Sequence, residues 1–134
     1  MNEVFSEAWV LAWADELKKS EPYRQAAATW EGSIALRVQE DAEGMRRAVF
    51  LDLRHGECLE AKLADDAALD AADFLLGASE EAWKKVLDGN LEPIFGLMTG
   101  QLKLERGSLA ALTPHMAASK ELVAAATRVP AYWP

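Results

Sequence analysis

His55 and Cys58 lie three residues apart beside a glycine, and a thiol close to an imidazole is one way to build a nucleophile. That chemistry needs the two side chains to converge and a third group to orient the ring. In a strand, positions three apart point to opposite faces, so the pair reads as structural or merely exposed. His115 follows Thr113-Pro114 with no Cys or second His near it, a poor start for a metal ligand set. Asp65, Asp66, Asp70 and Asp73 form an acidic cluster but lack the glycine and terminal glutamate of a calcium loop. They read as solvated surface. Glu80 and Glu81 are accounted for as first-turn charges of a helix. No serine sits in a Gly-x-Ser-x-Gly elbow, and no glycine-rich phosphate loop follows any expected strand. The expectation is a non-enzyme with no catalytic residue, no metal and no cofactor.

Charge narrows the partners. A net charge of −8 disfavours phosphate backbones and anionic bilayers, so neither nucleic acid nor stable membrane insertion is expected. The pairs Lys18-Lys19, Arg46-Arg47 and Lys84-Lys85 read as solvated surface. A single Cys rules out an internal disulfide framework, and no basic stretch leads into an apolar one at the N-terminus, so a cytoplasmic protein is expected. No apolar run approaches the length of a membrane span. A chain of 134 residues with no linker or repeat is expected to be a single domain over 1–134.

The elements follow from apolar spacing. Phe5, Trp9, Ala12, Trp13 and Leu17 share a helical face, and the helix ends near Ser20. Glu21-Pro22 opens a second helix with Tyr23, Ala26, Ala27 and Trp30 as its stripe, stopped by Gly32. Alternation then takes over. Ile34, Leu36 and Val38 form one strand face, Val49, Leu51 and Leu53 a second, and Leu59, Ala61 and Leu63 a third. Glu40 to Gly44 and His55-Gly56 read as the turns of an antiparallel meander. Ala64 to Ala72 reads as a loop or short helical turn, and Asp73 to Leu76 as a fourth strand. After Gly107 a final helix carries Leu109, Leu112, Met116, Val123 and Ala126, bent or restarted near Thr113-Pro114.

The stretch from Ser79 to Gly107 is the most informative. Ser79 can cap a helix, Gly89-Asn90 suits the left-handed turn that ends it, and Pro93 fits an early position in the next. Gly100 closes that helix, and Gln101 to Arg106 alternates as a fifth strand. Here Gly89-Asn90-Leu91-Glu92-Pro93, followed by Met98-Thr99-Gly100-Gln101-Leu102-Lys103-Leu104, resembles the signature of the sterol carrier protein type 2 family. That signature runs Gly-Lys-Leu-Asp-Pro, an apolar helix, then Met-(Ser/Thr)-Gly-Lys-Leu-Lys-(Ile/Val). Gln101 stands where Lys is usual, and Arg106-Gly107-Ser108 replaces the usual Gly-Asp. The resemblance covers nearly the whole chain. It implies a small α+β fold, a twisted and mainly antiparallel sheet of about five strands with helices packed on one face around an apolar cavity. The implied ligand is a fatty acid, fatty acyl-CoA or sterol, and the implied function is lipid binding or transfer.

By composition alone the bulky apolar residues are equally those of a packed core. The resemblance makes some of them a candidate ligand-binding lining. These are Trp30 from the second helix, Leu51 and Leu53 from the second strand, and Trp83, Leu91, Ile94, Phe95 and Met98 from the helix pair. Leu112 and Met116 join them from the final helix. Met is flexible and polarizable, which suits variable acyl shapes. Gln101 and His115 are candidates for headgroup contacts because they fall near helix ends. Two rivals remain at this point. The same apolar groove would take a partner helix or a second copy of the chain as a homodimer, which five Trp and the tail Tyr132-Trp133 would suit. Alternatively the chain is an accessory domain of an acyl-CoA enzyme.

Overall fold

The computed structural model describes residues 2–39 and 47–133. Its centre is a five-stranded sheet in the order β4-β3-β2-β5-β6. The strands are β2 (Glu31–Val38), β3 (Ala48–Arg54), β4 (Glu57–Leu63), β5 (Phe74–Ala78) and β6 (Lys103–Arg106). Strands β2, β3 and β4 form the expected antiparallel meander, and β6 runs antiparallel to β5. Strand β5, however, lies parallel to β2, so the sheet is mixed. The chain leaves β4 at one edge, crosses over and inserts β5 on the far side of β2. The turn expected at Glu40 to Gly44 lies outside the described residues.

The crossover carries α3 (Asp66–Ala71), where the sequence suggested a loop or short helical turn. Asp65 caps it, accepting from the Ala68 N–H at 2.8 Å. Asp73 then clips the crossover to β2, accepting from the Ser33 N–H at 2.9 Å, while its own N–H donates to Ser33 Oγ at 2.9 Å. Two of the four clustered aspartates are thus explained as backbone fasteners. The crossover also covers part of the second sheet face, where Ala68 and Ala72 bury Ala35, Phe50 and Leu75 in a small satellite core.

The third strand of the meander departs from simple alternation. Leu53 pairs with Cys58 and Leu51 with Ala61, with a bulge between. Leu59 is the extra residue, and it is 59% exposed. Cys58 takes the inward place that alternation had given to Leu59, and packs with Ala61 against the main core.

The other face of the sheet carries the helices α1 (Glu7–Lys19), α2 (Glu21–Ala26), α4 (Glu80–Leu87), α5 (Pro93–Thr99) and α7 (Met116–Thr127). A four-residue helix, α6 (Leu109–Leu112), and a 3₁₀ turn over Thr113–His115 precede α7, which is the break expected at Thr113-Pro114. Ser20 joins α1 to α2 by serving both. Its N–H donates to the Leu17 carbonyl, and its Oγ accepts from the Tyr23 N–H. Ser79 caps α4 as its type suggested, and Gly100 ends α5 in the left-handed region at φ 81°.

The termini clasp each other through β1 (Asn2–Glu3) and β7 (Ala131–Tyr132), paired in parallel. Two-residue strands carry no periodicity, so nothing in the residue pattern announces them. Beside them Phe5 adopts φ 60°, an unusual conformation for a bulky residue. Its ring lies 5.1 Å from Trp9, 5.8 Å from Trp83 and 6.2 Å from Trp133. Aromatic packing on three sides holds the strained residue in place.

The β3–β4 hairpin turn, His55-Gly56, has φ of 52° and 83°, the mirror-image turn that suits strand twist. A side chain at Gly56 would sit 2.8 Å from Arg24 Cα, so only glycine fits against α2. The His55 Nδ1 lies 2.9 Å from the Ala28 carbonyl, and Nε2 lies 2.9 Å from Glu31 Oε1. Both partners are acceptors, so the ring fits best as an imidazolium with two N–H donors. The Ala28 carbonyl and then Glu31 raise its pKa above the ordinary imidazole value. A raised folded pKa gives stability that is complete below the unfolded pKa and is lost as pH rises through the folded value. His55→Asn keeps a residue tolerant of positive φ. The Tm gap between the native chain and this variant should be wider at about pH 5.5 than at about pH 8.5. An equal gap at both pH values would show that the ring's charge contributes nothing.

Candidate functional site

A cavity of about 70 Å³ lies between the sheet and the helices. Its floor is Ile34 and Leu36 of β2, Leu53 of β3 and Leu76 of β5. Trp13, Tyr23, Trp30 and Trp83 form one side. Pro93, Ile94 and Leu97 of α5, with Leu112, His115, Ala118, Ser119, Leu122 and Val123, form the other.

Three tryptophans can wall an apolar space only if their indole N–H groups are satisfied elsewhere. All three are. Trp13 Nε1 donates to the Leu122 carbonyl at 2.9 Å, Trp83 Nε1 to the Arg37 carbonyl at 2.9 Å, and Trp30 Nε1 to the Gly32 carbonyl at 3.1 Å. The hydrogen-bonding groups left to the lining are Tyr23, His115 and Ser119. Ser119 Oγ donates to Glu92 Oε1 at 3.3 Å, and Glu92 Oε2 accepts from the Phe95 N–H at 2.8 Å as the cap of α5. One carboxylate therefore ties the start of α5 to α7.

Strand β2 is central in the sheet, yet Ile34 and Leu36 on its helix-covered face are only half-buried. On the opposite face Ala35 is fully buried. Central-strand residues stay accessible when the layer above them is incomplete. Among the lining residues Leu97, His115, Ser119 and Val123 are also half-buried, which places the gap between α5 and the start of α7.

Five of the residues singled out from sequence line this cavity: Trp30, Leu53, Trp83, Ile94 and Leu112. His115 lines it as well. The others lie outside the lining. Leu51 and Leu91 are 0% and 6% exposed and belong to the packed core. Phe95 and Met98 are 55% and 61% exposed. Helix α5 turns by about 100° per residue, and with Ile94 and Leu97 facing inward the residues that follow each of them, Phe95 and Met98, face out. Met116, at the first position of α7, is 42% exposed. Gln101 is exposed and donates to Thr99 Oγ1 at 3.1 Å. The residues that sequence reading missed divide by signal. Trp13, Ile34 and Leu36 sit on faces that the periodicity already marked as inward. Ala118 and Ser119 are small residues with no sequence signal.

The remaining chemical candidates do not converge. His55 is committed to Ala28 and Glu31, while Cys58 Sγ donates to the Glu60 carbonyl at 3.4 Å. Burial raises the Cys58 thiol above its ordinary pKa and keeps it protonated. Among the described residues no three His, Cys, Asp or Glu side chains come together as a metal site. Nor is any helix there long and apolar enough to cross a membrane.

The model of the SCP-2 sterol transfer family matches residues 14–113, and the chain belongs to that family. A crystal structure of sterol carrier protein 2 is similar at 46% identity and a TM-score of 0.88, covering 96% of this chain and 100% of that one. The solution structure of a conserved hypothetical protein from Thermus thermophilus, described as possibly a sterol carrier protein, is similar at 44% identity and a TM-score of 0.88, covering 98% and 93%. The Aedes aegypti sterol carrier protein 2 complex with palmitate shares the fold at 17% identity and a TM-score of 0.51, covering 87% and 97%. A comparison with curated protein sequences gave no match.

A cavity can be told from packed core by overfilling it. Ala118 lines the space, whereas Ala125 on the same helix is 0% exposed and does not. Ala125→Leu should cost the usual overpacking penalty of about 1–3 kcal/mol, and Ala118→Leu should cost less than about 1 kcal/mol. Chemical denaturation of both variants gives the comparison. Equal costs would mean that the space beside Ala118 cannot accept a side chain.

Proposed function

We propose that the chain is a lipid-binding or lipid-transfer protein that sequesters the apolar part of a long-chain fatty acid, fatty acyl-CoA or sterol-like molecule in this cavity. The observation that carries the reading is the half-buried floor of Ile34 and Leu36 beneath an otherwise apolar, tryptophan-walled space. Each methylene moved from water into such a space contributes about 0.8 kcal/mol.

The resting volume sets the mechanism. About 70 Å³ is roughly half of the 150 Å³ apolar cavity that accepts benzene. An acyl chain therefore enters by parting the walls. The gap between α5 and α7 is the natural place, because α5 has only seven residues and the Ser119–Glu92 hydrogen bond spans it. Sequestration needs no bond to be made or broken in the ligand, so it asks for no nucleophile–base pair in the lining.

A second copy of the chain would find a different surface, the outward Phe95 and Met98 of α5. Native mass spectrometry separates the readings, since a lipid adduct on a monomer supports the cavity and a ligand-free dimer supports the surface.

The reading is tested directly by titrating a fluorescent long-chain acyl probe, with dissociation constants expected at micromolar or below, on the order of −8 kcal/mol. Energy transfer from tryptophan should accompany binding, because Trp13, Trp30 and Trp83 line the site. Folded protein that shows no saturable uptake would refute it. Ser119→Ala removes the tie between α7 and the α5 cap, and should speed probe exchange several-fold in stopped-flow measurements.

A further inference from the structure

Two stretches of the chain carry no Asp, Glu, Lys or Arg, one between Glu92 and Lys103 and the other between Arg106 and Lys120. The fold brings them together, because α5 packs on α6 and α7, and they border the gap in the cavity wall. Their outward positions are exposed all the same. Phe95 and Met98 stand out from α5 and Met116 from the start of α7, while α6, the 3₁₀ turn and α7 also expose Ala110, Ala111, Pro114 and Ala117. His115, the one titratable side chain in these stretches, is half-buried with its ring against Trp30. A surface helix ordinarily turns charged residues to water. The other helices do so, α1 with Glu7, Asp15, Lys18 and Lys19, and α4 with Glu81, Lys84 and Lys85. An apolar residue exposed singly needs no explanation, but several large ones grouped without charge mark a surface that meets something.

Charge narrows what that is. With a net charge of −8, the chain is repelled by an anionic bilayer. The residues that bound the two stretches are of both signs, Glu92 with Lys103 and Arg106 with Lys120, and a zwitterionic headgroup layer presents both signs in return. The exposed side chains include none of the Trp, Tyr and Arg anchors that dominate protein–protein interfaces. Flexible Met side chains suit a partner without a fixed shape. Position adds a further reason. A second copy seated here would cap the gap, whereas a bilayer seated here faces the gap with the medium that acyl chains occupy.

We infer that α5, α6 and the start of α7 form a docking face for an electrically neutral, zwitterionic bilayer, and that the ligand passes between cavity and bilayer while the two are in contact. This rests on the lipid-binding reading above and assigns the surface at which loading and unloading take place. No helix among the described residues is long and apolar enough to cross a membrane, so the contact is shallow. Phe95, Met98 and Met116 enter the boundary between headgroups and acyl chains while the rest of the fold stays outside. Burial of apolar side chains holds the contact, and it needs no cation on the protein.

Two readouts test it. In the first, protein loaded with a fluorescent long-chain acyl probe is mixed with phosphatidylcholine vesicles. The transfer rate should rise in proportion to vesicle concentration, and replacing part of the phosphatidylcholine with phosphatidylglycerol should lower it. Met98→Glu and Met116→Glu each place a charge on the face at an exposed position outside the cavity lining. Each should keep the native affinity for the probe and lose about fivefold in transfer rate. Leu59→Glu adds the same charge at a similarly exposed apolar position on β4, and should transfer as the native chain does. The second readout needs no probe. Vesicles containing spin-labelled phosphatidylcholine should attenuate the Met98 and Met116 methyl signals of the unloaded protein and spare those of Leu59. A transfer rate independent of vesicle concentration, an equal loss in Leu59→Glu or faster transfer to the anionic vesicles would overturn the inference. So would a dimer that hides both methionines from the vesicles. Those results leave lipid binding in the cavity standing. Failure of folded protein to take up the probe would overturn the lipid-binding reading and the transfer step with it, and absence of methionine attenuation would overturn the docking face as well.

Discussion

A buried tryptophan must find an acceptor for its indole N–H, and here that demand fixes the helices to one another and to the sheet. Trp13 reaches across from α1 to a carbonyl inside α7. Trp83 reaches from α4 to a carbonyl of β2. Each bond joins elements that are distant in sequence, and each turns an apolar ring toward the cavity. The helices can then stand off the sheet without collapsing onto it, because the indoles act as spacers whose polar atoms are already satisfied. Phe5, in its strained conformation, packs on the same aromatic group through Trp9 and Trp83, so the clasped termini share that support.

The opposite constraint governs α5 and the start of α7. Two turns of helix bury little surface, and one hydrogen bond through Glu92 and Ser119 spans them. This part of the wall lies beside the accessible residues of the central strand. Under the proposed function, rigid indoles on one side and a lightly tied helix on the other let the site keep its shape while admitting ligands larger than its resting volume.

Much of the fold was legible where local chemistry is unambiguous. The Ser79 cap, Pro93 at a helix start and Gly100 at a helix end mark boundaries that the structure reproduces. Strand β5 parallel to β2 was not legible, because alternation reports which face a residue takes and not which neighbour its strand pairs with. The bulge at Leu59 was hidden for a similar reason, since one inserted residue inverts the pattern without changing composition. For the site, the family resemblance supplied the idea of a cavity, but a short helix with apolar residues on several faces left the lining ambiguous. Ile94 faces in and Phe95 out, and nothing in their types separates them. Tyr23 belonged to an apolar helical stripe, and only the structure shows that it lines the cavity.

The account stands on an acyl chain lying over the central strand. The direct measurement is a set of intermolecular nuclear Overhauser effects between a bound fatty acyl chain and methyl-labelled protein. The expected result is contacts from the chain to Ile34, Leu36 and Leu97, which line the floor and the gap. Contacts confined to the outward Met98 and Met116 methyls, with none to β2, would contradict it and move binding to the outer surface of α5 and α7.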